Sequence, residues 1–487
     1  MIVSSNQAKR FTYASCLGAS LALLGVLGAA SSAHAQSAPL PAGAGGGSTS
    51  SGGGWLADRD RTQGPGFRVG DFELHPGIGV EVGYDSNLYY TDDNPAPGAP
   101  WHRVDSGILR VTPHLLFSTL TADRAGGEGE GSESETPPTV TFQGGISAAY
   151  YEFFADSNRR NLALDVGLRL TVLPQRPFGF SVYDTFSRQV RPFVENVNPT
   201  SGMARDVNNA GLQLNFQTDG GVLQVVAGYD FGLSLYEDGG FGYGNAFDHT
   251  MTLQENFRFL PQTAIIQDNS VRYHDYLNAA SASSPTRLGD SWTIRSRIGL
   301  NGAITNNVSI TGMVGYAAGF FDTPSGGAYV QNYDAPVGQL QLSWTITQST
   351  RLALGYDRDF QPAVLGNYSS RDRGYVSFST NIGGAFLLGV DADVAYVDYG
   401  VIAPPVGSTT PVGSNPDGTS SRSDIRVTAG IFAEYRFTDW LGINTTLRYM
   451  GDFTDWRYNV DLGPMGTILD PAGYNKFEAF LGVRVFY

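Results

Sequence analysis

The sequence has little of what a helical membrane protein or a disulfide-stapled protein needs. Beyond the N-terminal region, no stretch offers the roughly 18 consecutive apolar residues of a spanning helix. The single cysteine, Cys16, lies near the N-terminus, so no disulfide framework is expected. A chain without spanning helices can cross a membrane only as a closed β-barrel, because lipid offers no partner to unpaired backbone groups.

Basic charge is also scarce. The chain of 487 residues carries a formal charge of −15, which argues against nucleic acid as a partner because phosphate neutralisation needs clustered Lys and Arg. Charged residues make up 16%, aromatic residues 12%, and there are 62 glycines. This composition favours an all-β protein. A mean hydropathy of −0.16 does not exclude a barrel, whose polar half faces inward.

Catalytic and metal-binding motifs are missing. No HExxH pair, GxSxG elbow or phosphate-binding loop occurs. His274 and Asp275 are adjacent, and adjacent strand residues point to opposite faces. We therefore predict that the protein is not an enzyme and needs neither a cofactor nor a metal. The histidines outside the leader are His75, His102, His114, His249 and His274.

The first residues have the pattern of an export signal. Lys9 and Arg10 precede an apolar core at 17–30, and the small-x-small site Ala33-His34-Ala35 follows it. Residues 1–35 are therefore predicted to be a cleaved signal peptide. The alternative, a membrane anchor, needs about 20 apolar residues, which this core does not provide.

The rest of the chain divides into two parts. Residues 36–74 are predicted to form a flexible, Gly/Ser-rich periplasmic segment, of which 55–74 could also be a small plug. From 75 to 487 apolar and polar residues alternate with a period of two, as in Leu162–Val172 and in Ile425–Phe437. A helical period of 3.6 does not fit these runs, so they predict strands.

The lengths of the connections alternate as well. Short breaks such as 261–262, 305–306 and 438–439 are separated by long polar loops such as 360–371 and 399–423. This alternation is typical of outer-membrane barrels, with short periplasmic turns and long extracellular loops. We predict one transmembrane up-and-down antiparallel barrel of about 18 strands, with both chain ends on the periplasmic side.

Two strands fit this pattern poorly, so a count two higher or lower stays open. In 248–259, Glu255 would face lipid if Met251 and Phe257 do, and 263–276 has no clean apolar face. One connection is also unusual. Residues 121–138 lie on the short-turn side but are long and acidic. They are predicted to be either a solvated loop or a docking loop for a periplasmic partner with a basic surface.

The last strand, 475–487, has one wholly apolar face and ends on an aromatic residue. It resembles the terminal signal that the barrel-assembly machinery reads in bacterial outer-membrane barrels, although Val485 stands where a second aromatic residue is usual. It is expected to pair with the strand near His75 and close the barrel. The predicted signal residues are Phe477, Leu481, Val483, Val485, Phe486 and Tyr487.

If the apolar faces point outward, arginines dominate the inner wall. A positive wall would suit an anionic solute or polymer. The alternative is a structural network in which these arginines pair with Asp165, Glu434 and other inward carboxylates. The predicted lumen-lining arginines are Arg110, Arg169, Arg295, Arg297, Arg426, Arg436, Arg448 and Arg484.

Aromatic residues are concentrated near the predicted strand ends. They are expected to form girdles at the two membrane interfaces. A second possibility is a sugar-stacking track inside the barrel, with Phe432, Phe480 and Phe486 on the inward side. The girdle candidates are Tyr150, Tyr151, Phe153, Phe154, Tyr356, Tyr396, Tyr399, Trp440 and Tyr449.

The first two strands resemble the β-barrel porin 2 family of outer-membrane barrels. Gly83-Tyr84-Asp85-Ser86-Asn87-Leu88-Tyr89, Asp105-Ser106-Gly107-Ile108 and Val111-Thr112-Pro113-His114-Leu115 carry the resemblance. It implies a Gram-negative outer-membrane conduit that secretes an exopolysaccharide or capsule. The alternatives are a general diffusion or uptake porin and a closed surface-structural or adhesion barrel. The expected surroundings are outer-membrane lipid.

Overall fold

The computed structural model describes residues 65–99, 102–119, 139–157, 162–174, 177–190, 204–237, 242, 244–277, 289–323, 330–363, 365–402 and 411–487. The predicted signal peptide, residues 36–64 of the Gly/Ser-rich segment and the 121–138 loop lie outside these ranges. No helix in the described part is long and apolar enough to cross a membrane.

Eighteen long strands make up the fold. The first nine are β1 (Phe72–Asp85), β2 (Ser106–Thr119), β3 (Val140–Phe153), β4 (Leu162–Val172), β5 (Phe178–Gln189), β6 (Arg205–Gln217), β7 (Leu223–Tyr236), β8 (Ala246–Leu260) and β9 (Thr263–Tyr276). The second nine are β10 (Ser291–Thr305), β11 (Val308–Phe321), β12 (Tyr333–Thr347), β13 (Thr350–Pro362), β14 (Tyr368–Ile382), β15 (Phe386–Tyr399), β16 (Ser423–Thr438), β17 (Leu441–Phe453) and β18 (Tyr474–Phe486).

The strands form one closed antiparallel barrel. Each pairs with the next along the chain, and β18 pairs with β1 from Gly77↔Phe486 to Asp85↔Glu478. A short strand, Phe67–Val69, folds back on the start of β1. The predictions of an all-β fold, of about 18 strands and of closure between the first and last strands are confirmed. Closure matters because it leaves no strand edge with unpaired backbone groups.

Connection lengths differ between the two barrel ends. Two-residue turns at 261–262, 306–307, 348–349 and 439–440 lie at one end. A further tight turn needs glycine, because Gly383 and Gly384 have φ of 60° and 72°, a left-handed conformation that residues with a Cβ rarely adopt.

The prediction of a long loop at 360–371 was wrong. β13 extends to Pro362 and β14 begins at Tyr368, so only five residues connect them. Most strand residues within this stretch are polar, namely Gln361, Ser369, Ser370 and Arg371, and Arg371 pairs with the inward Asp357. Without an apolar face, a strand has the composition of a loop.

The two faces of the barrel differ in exposure and chemistry. On β18 the outward residues Leu481 and Val483 are 53% and 46% exposed, whereas the inward Phe480 and Arg484 are 5% and 4% exposed. The outer surface is apolar around most of the circumference, as expected for a barrel that crosses a membrane.

Candidate functional site: the inner wall and its mouth

A network of ion pairs covers the seam where β1 meets β18. The Glu81 carboxylate of β1 accepts hydrogen bonds from Arg110 of β2 and from the amide of Asn444 on β17, the latter at 2.6 Å. Glu81 reaches Asn444 across Gly482 of β18, where a Cβ would lie 2.2 Å from Glu81 Cγ. Glycine at 482 therefore leaves room for a contact that spans the seam.

A second carboxylate, Glu434 on β16, extends this network. It accepts from Arg484 of β18 at 2.8 Å and from Arg436 at 3.1 Å. Glu81 and Glu434 are 2% and 1% exposed. Buried charges of this kind are stable only when paired. We call Glu81, Arg110, Glu434, Arg436, Asn444 and Arg484 the seam network.

The seam arginines also cover the inward phenylalanines. The guanidinium of Arg110 lies 4.5 Å from the ring centre of Phe480, that of Arg436 lies 4.4 Å from Phe486, and that of Arg484 lies 5.1 Å from Phe432. These are cation–π distances. The three rings that the sequence offered as a sugar-stacking track thus have a face occupied by the protein itself.

Ion pairs also span the opposite wall. Arg295 of β10 donates to Asp359 of β13 at 2.6 Å, passing over the inner faces of β11 and β12. This bridge fits because the residues beneath it are small: Ala317 and Ala335 are only 1% and 7% exposed. Nearby pairs join Arg297 to Asp268, Arg272 to Asp248, and both Arg371 and Arg373 to Asp357.

Register places all eight predicted lumen arginines on the inner face. Arg110, Arg295, Arg297, Arg426, Arg436 and Arg484 each have a carboxylate within ion-pair distance. Arg169 lies 4.9 Å from the Tyr183 ring and is exposed to the interior. Arg448 stands opposite Glu478 in the β17–β18 register. This arrangement favours the structural-network interpretation over a positive wall.

The loop after β1 folds inward over the wall. Leu88 is fully buried among Ile108, Tyr151, Phe153 and Phe480. The neighbouring Asn87 side chain donates to the carbonyls of Thr91 and Asn475, at 2.7 and 2.9 Å. The stretch 83–89 therefore anchors a loop across the top of the seam.

A buried lysine supports this loop from below. Lys476 of β18 is completely buried, lies 2.8 Å from the Asp85 carboxylate, and is 3.9 Å from the centre of the Tyr90 ring. An ion pair and a cation–π contact thus replace water around the buried ammonium group.

The loops before β16 and β18 form a small domain on the β15 wall. Strands Gly413–Ser414, Arg457–Asp461 and Thr467–Pro471 make a three-stranded sheet. Its centre, Trp456, is fully buried and packs with the inward residues Ala395, Val397 and Tyr399 of β15. These loops therefore narrow the mouth on one side.

Buried charges fasten this loop domain to the wall. Arg422 pairs with Asp424 at 2.8 Å and donates to the Tyr458 hydroxyl at 3.1 Å, while Arg426 pairs with Asp452 at 3.2 Å. Burial alone would lower the pKa of Arg422, but the phenols of Tyr458 and Tyr399 and the Asp424 carboxylate raise that pKa above its ordinary value. Arg422 is therefore a permanent charge. We call Arg422, Asp424, Arg426, Asp452, Trp456 and Tyr458 the loop latch.

Replacing Trp456 with alanine is expected to release the loop domain from the wall. Loss of a buried aromatic side chain costs about 3–5 kcal/mol, which exceeds the stability of most local loop structure. Single channels in planar bilayers should show larger and noisier current. Trp440→Ala is the matched control, because Trp440 lies in the turn 439–440 at the opposite end of the barrel and is 51% exposed. Identical currents for the two variants would show that the latch does not narrow the mouth.

The aromatic girdle is only partly as predicted. Tyr150, Phe154, Tyr356, Tyr396 and Trp440 are 42–68% exposed on the outer side. By contrast, Tyr151, Phe153 and Tyr399 are 1–4% exposed and face inward. Adjacent residues of a strand point to opposite faces, so Tyr150 and Tyr151 could not both belong to an outer girdle. Tyr449 also lies on the outward face, in β17.

Several key residues were not singled out from the sequence. Glu81 and Asp85 have a local signal, because they alternate with the outward Val80, Val82 and Tyr84. Trp456 has none, since it lies in an aperiodic loop. Among the described residues, no group of three or more His, Cys, Asp or Glu is arranged to hold a metal ion. His274 lies 2.7 Å from Asp248 in the wall's ion-pair system.

Comparison with family models and with curated proteins finds no match for the sequence. Solved structures of similar fold include the siderophore receptor PirA from Pseudomonas aeruginosa (10% identity, 85% of this chain and 80% of that chain, TM-score 0.38). The FrpB iron transporter from Neisseria meningitidis has 10% identity over 88% and 82%, with a TM-score of 0.41. OccK11 from Pseudomonas aeruginosa has 11% identity over 88% and 99%, with a TM-score of 0.40. These similarities carry no argument about function, and the resemblance to the β-barrel porin 2 family stays a prediction.

Proposed function

We propose that the protein is an outer-membrane conduit and that its cargo is a secreted polysaccharide. The observation that carries the proposal is the contrast between an apolar outer surface and an inner wall lined with Arg, Asp, Glu, Asn and Thr side chains. Such a wall is suited to a hydrated passage. We also propose that residues 1–35 are a cleaved signal peptide, that outer-membrane lipid surrounds the barrel, and that the barrel-assembly machinery inserts it.

The charge pairing of the wall supports a polymer as cargo. A pore must hold its cargo weakly enough to release it. A wall with charges of only one sign would retain a polymer of the opposite charge. A wall of paired charges still offers hydrogen-bonding groups but produces little net electric field in the lumen. The inward loops also favour an extended chain over a folded protein, because they narrow the mouth.

Gene deletion distinguishes secretion from uptake. Loss of surface polysaccharide with unchanged nutrient uptake is the expected result. Normal surface polysaccharide together with impaired uptake would reject the proposed cargo and support a general diffusion or uptake porin. If neither changes and only cell adhesion is lost, the barrel is a surface-structural protein and not a conduit.

We further propose that loop 121–138 docks a periplasmic polysaccharide-export protein. Its sequence, TADRAGGEGEGSESETPP, is acidic and would suit a basic partner surface. Deleting residues 125–135 should abolish co-purification of the partner and lower secretion, while leaving barrel assembly unchanged. An equally long deletion at 193–203, on the opposite side of the membrane, is the control. Unchanged secretion and co-purification would make 121–138 a spacer.

A further inference from the structure

A polar patch interrupts the apolar outer surface on three adjacent strands. Glu255 lies on β8, Gln267 and Asn269 on β9, and Ser296 on β10. In the strand register Gln267 is opposite Glu255, and Asn269 is opposite Ser296. Outward neighbours confirm the face: Met251 and Phe257 on β8 and Ile298 on β10 are 42–63% exposed. We call these four polar residues the outer polar patch.

The patch lies at mid-height of the barrel. Asn269 is the seventh residue of the fourteen-residue β9, whose bounds are Thr263 and Tyr276. An apolar band of about 25 Å needs roughly 9–11 residues of a tilted strand. Phe257 lies beside the patch towards one rim of the barrel, and Tyr273 contacts Trp292 towards the other rim, with ring centres 4.6 Å apart and the rings tilted by 32°. Asn269 and Ser296 are therefore at the depth of lipid tails.

Lipid tails cannot satisfy these groups. The Ser296 hydroxyl donates to the side-chain oxygen of Asn269 at 2.6 Å, and the Gln267 side-chain amide donates to that same oxygen at 3.5 Å. These contacts leave the side-chain amide nitrogen of Asn269 without a hydrogen-bond partner among the described residues. Glu255 makes no ion pair with another described residue. Polar groups at this depth carry a free-energy cost unless a partner covers them.

We propose that the outer polar patch is the contact surface for a second copy of this chain. The patch contains two complementary pairs, a carboxylate beside an amide and a hydroxyl beside an amide. A two-fold axis along the membrane normal keeps every residue at its own depth. It sets Gln267 against Glu255 of the second copy, and Asn269 against Ser296 of the second copy. The apolar neighbours Met251 and Ile298 then form the rim.

Self-complementarity selects this occupant over others. Amide side chains both donate and accept hydrogen bonds. A patch of Asn and Gln can therefore hydrogen-bond to the same patch on a second copy without needing a surface of opposite charge. Lipid acyl chains offer no polar group. The patch has one carboxylate and no cation. A partner with a basic surface at membrane depth would account for the carboxylate but would give no hydrogen-bond partners to the amide side chains.

Disulfide cross-linking in intact outer membranes tests the contact. The chain has one cysteine, Cys16, in the predicted signal peptide, so single-cysteine variants give a clean readout. Asn269→Cys and Ser296→Cys chains, co-expressed and oxidised with copper phenanthroline, place one cysteine opposite the other across the axis and are expected to give a cross-linked product at twice the monomer mass. Thr445→Cys is the control, since Thr445 is outward on β17 beside Leu481 and should stay monomeric.

A second pair of measurements protects against a folding defect. Native mass spectrometry of the unmodified protein should give twice the monomer mass, and Gln267→Leu/Asn269→Leu should give the monomer with unchanged heat-modifiable gel mobility. Monomer mass for the unmodified protein, equal cross-linking of the Asn269→Cys and Ser296→Cys pair and of Thr445→Cys, or a cross-linked product containing a different protein would each overturn the proposal.

Discussion

A chain without Phe486 and Tyr487 is expected to fail to assemble in the membrane. The backbone N–H of Tyr487 donates to the Pro76 carbonyl at 2.9 Å, and that of Phe486 donates to the Trp440 carbonyl at 2.8 Å. The Phe486 ring is 1% exposed and lies edge-on to His114, with ring centres 6.4 Å apart. The deletion removes one buried aromatic ring, worth about 3–5 kcal/mol, and the last two hydrogen bonds of the closing strand.

The deletion is measured by membrane fractionation and by gel mobility with and without heating. The truncated chain should be absent from the folded, heat-modifiable band and should be degraded. Tyr487→Phe is the control, because it keeps the backbone pairing and an aromatic terminus. Normal insertion of the truncated chain would contradict both the proposed assembly signal and the role of these two residues in closing the barrel.

Glu81→Gln is expected to destabilise the barrel more than any other single change in its wall. Glu81 is 2% exposed, and Arg110 and Asn444 both donate to it. Removing one member of a buried ion pair costs about 3–5 kcal/mol, since the remaining charge is left without compensation. Urea unfolding of the protein in lipid vesicles, followed by tryptophan fluorescence, should show a lower midpoint with an unchanged slope.

A double-mutant cycle separates the ion pair from other effects. Arg110→Gln removes the uncompensated charge, so the double variant Glu81→Gln/Arg110→Gln should recover much of the stability that Glu81→Gln loses. Asp391→Asn is the control, because Asp391 is an exposed inner carboxylate. Additive losses in the double variant, or an equal loss in Asp391→Asn, would show that the seam network does not hold the first and last strands together.

Strand positions could be predicted because their signal is local. Alternation along 162–172 or 425–437 can be recognised without knowing the neighbouring strands, and the short turns mark where each strand ends. The error at 360–371 has the same origin: Gln361, Ser369, Ser370 and Arg371 give no apolar alternation where β13 and β14 approach the mouth, so the local signal disappears although the strands continue.

The candidate site depends on register, which a single sequence does not encode locally. The arginines could be assigned to the inner face by alternation, and Glu434 was named among their possible partners, but which arginine meets which carboxylate could not be assigned. Arg295 meets Asp359 from three strands away, and Glu81 meets Asn444 across Gly482 and the seam. Such contacts follow only from the offset between strands. Trp456 and the rest of the loop latch could not be predicted for a different reason: an aperiodic loop has no alternation that shows which side chains face the barrel.

The outer polar patch shows that a poor pattern can be informative. The absence of a clean apolar face in 263–276 argued against that strand, yet β9 is a full member of the barrel with fourteen residues. Gln267 and Asn269 break its outward alternation, and Glu255 breaks that of β8. Their clustering on adjacent strands is visible only once the strands are in register.

Electrical recording of the purified full-length protein in planar lipid bilayers tests the conduit most directly. Insertion is predicted to produce stepwise current increments. Because the wall charges are largely paired, the reversal potential under a potassium chloride gradient should stay near zero. Silent membranes, with protein that shows the folded, heat-modifiable band, would contradict the conduit and leave a closed surface barrel.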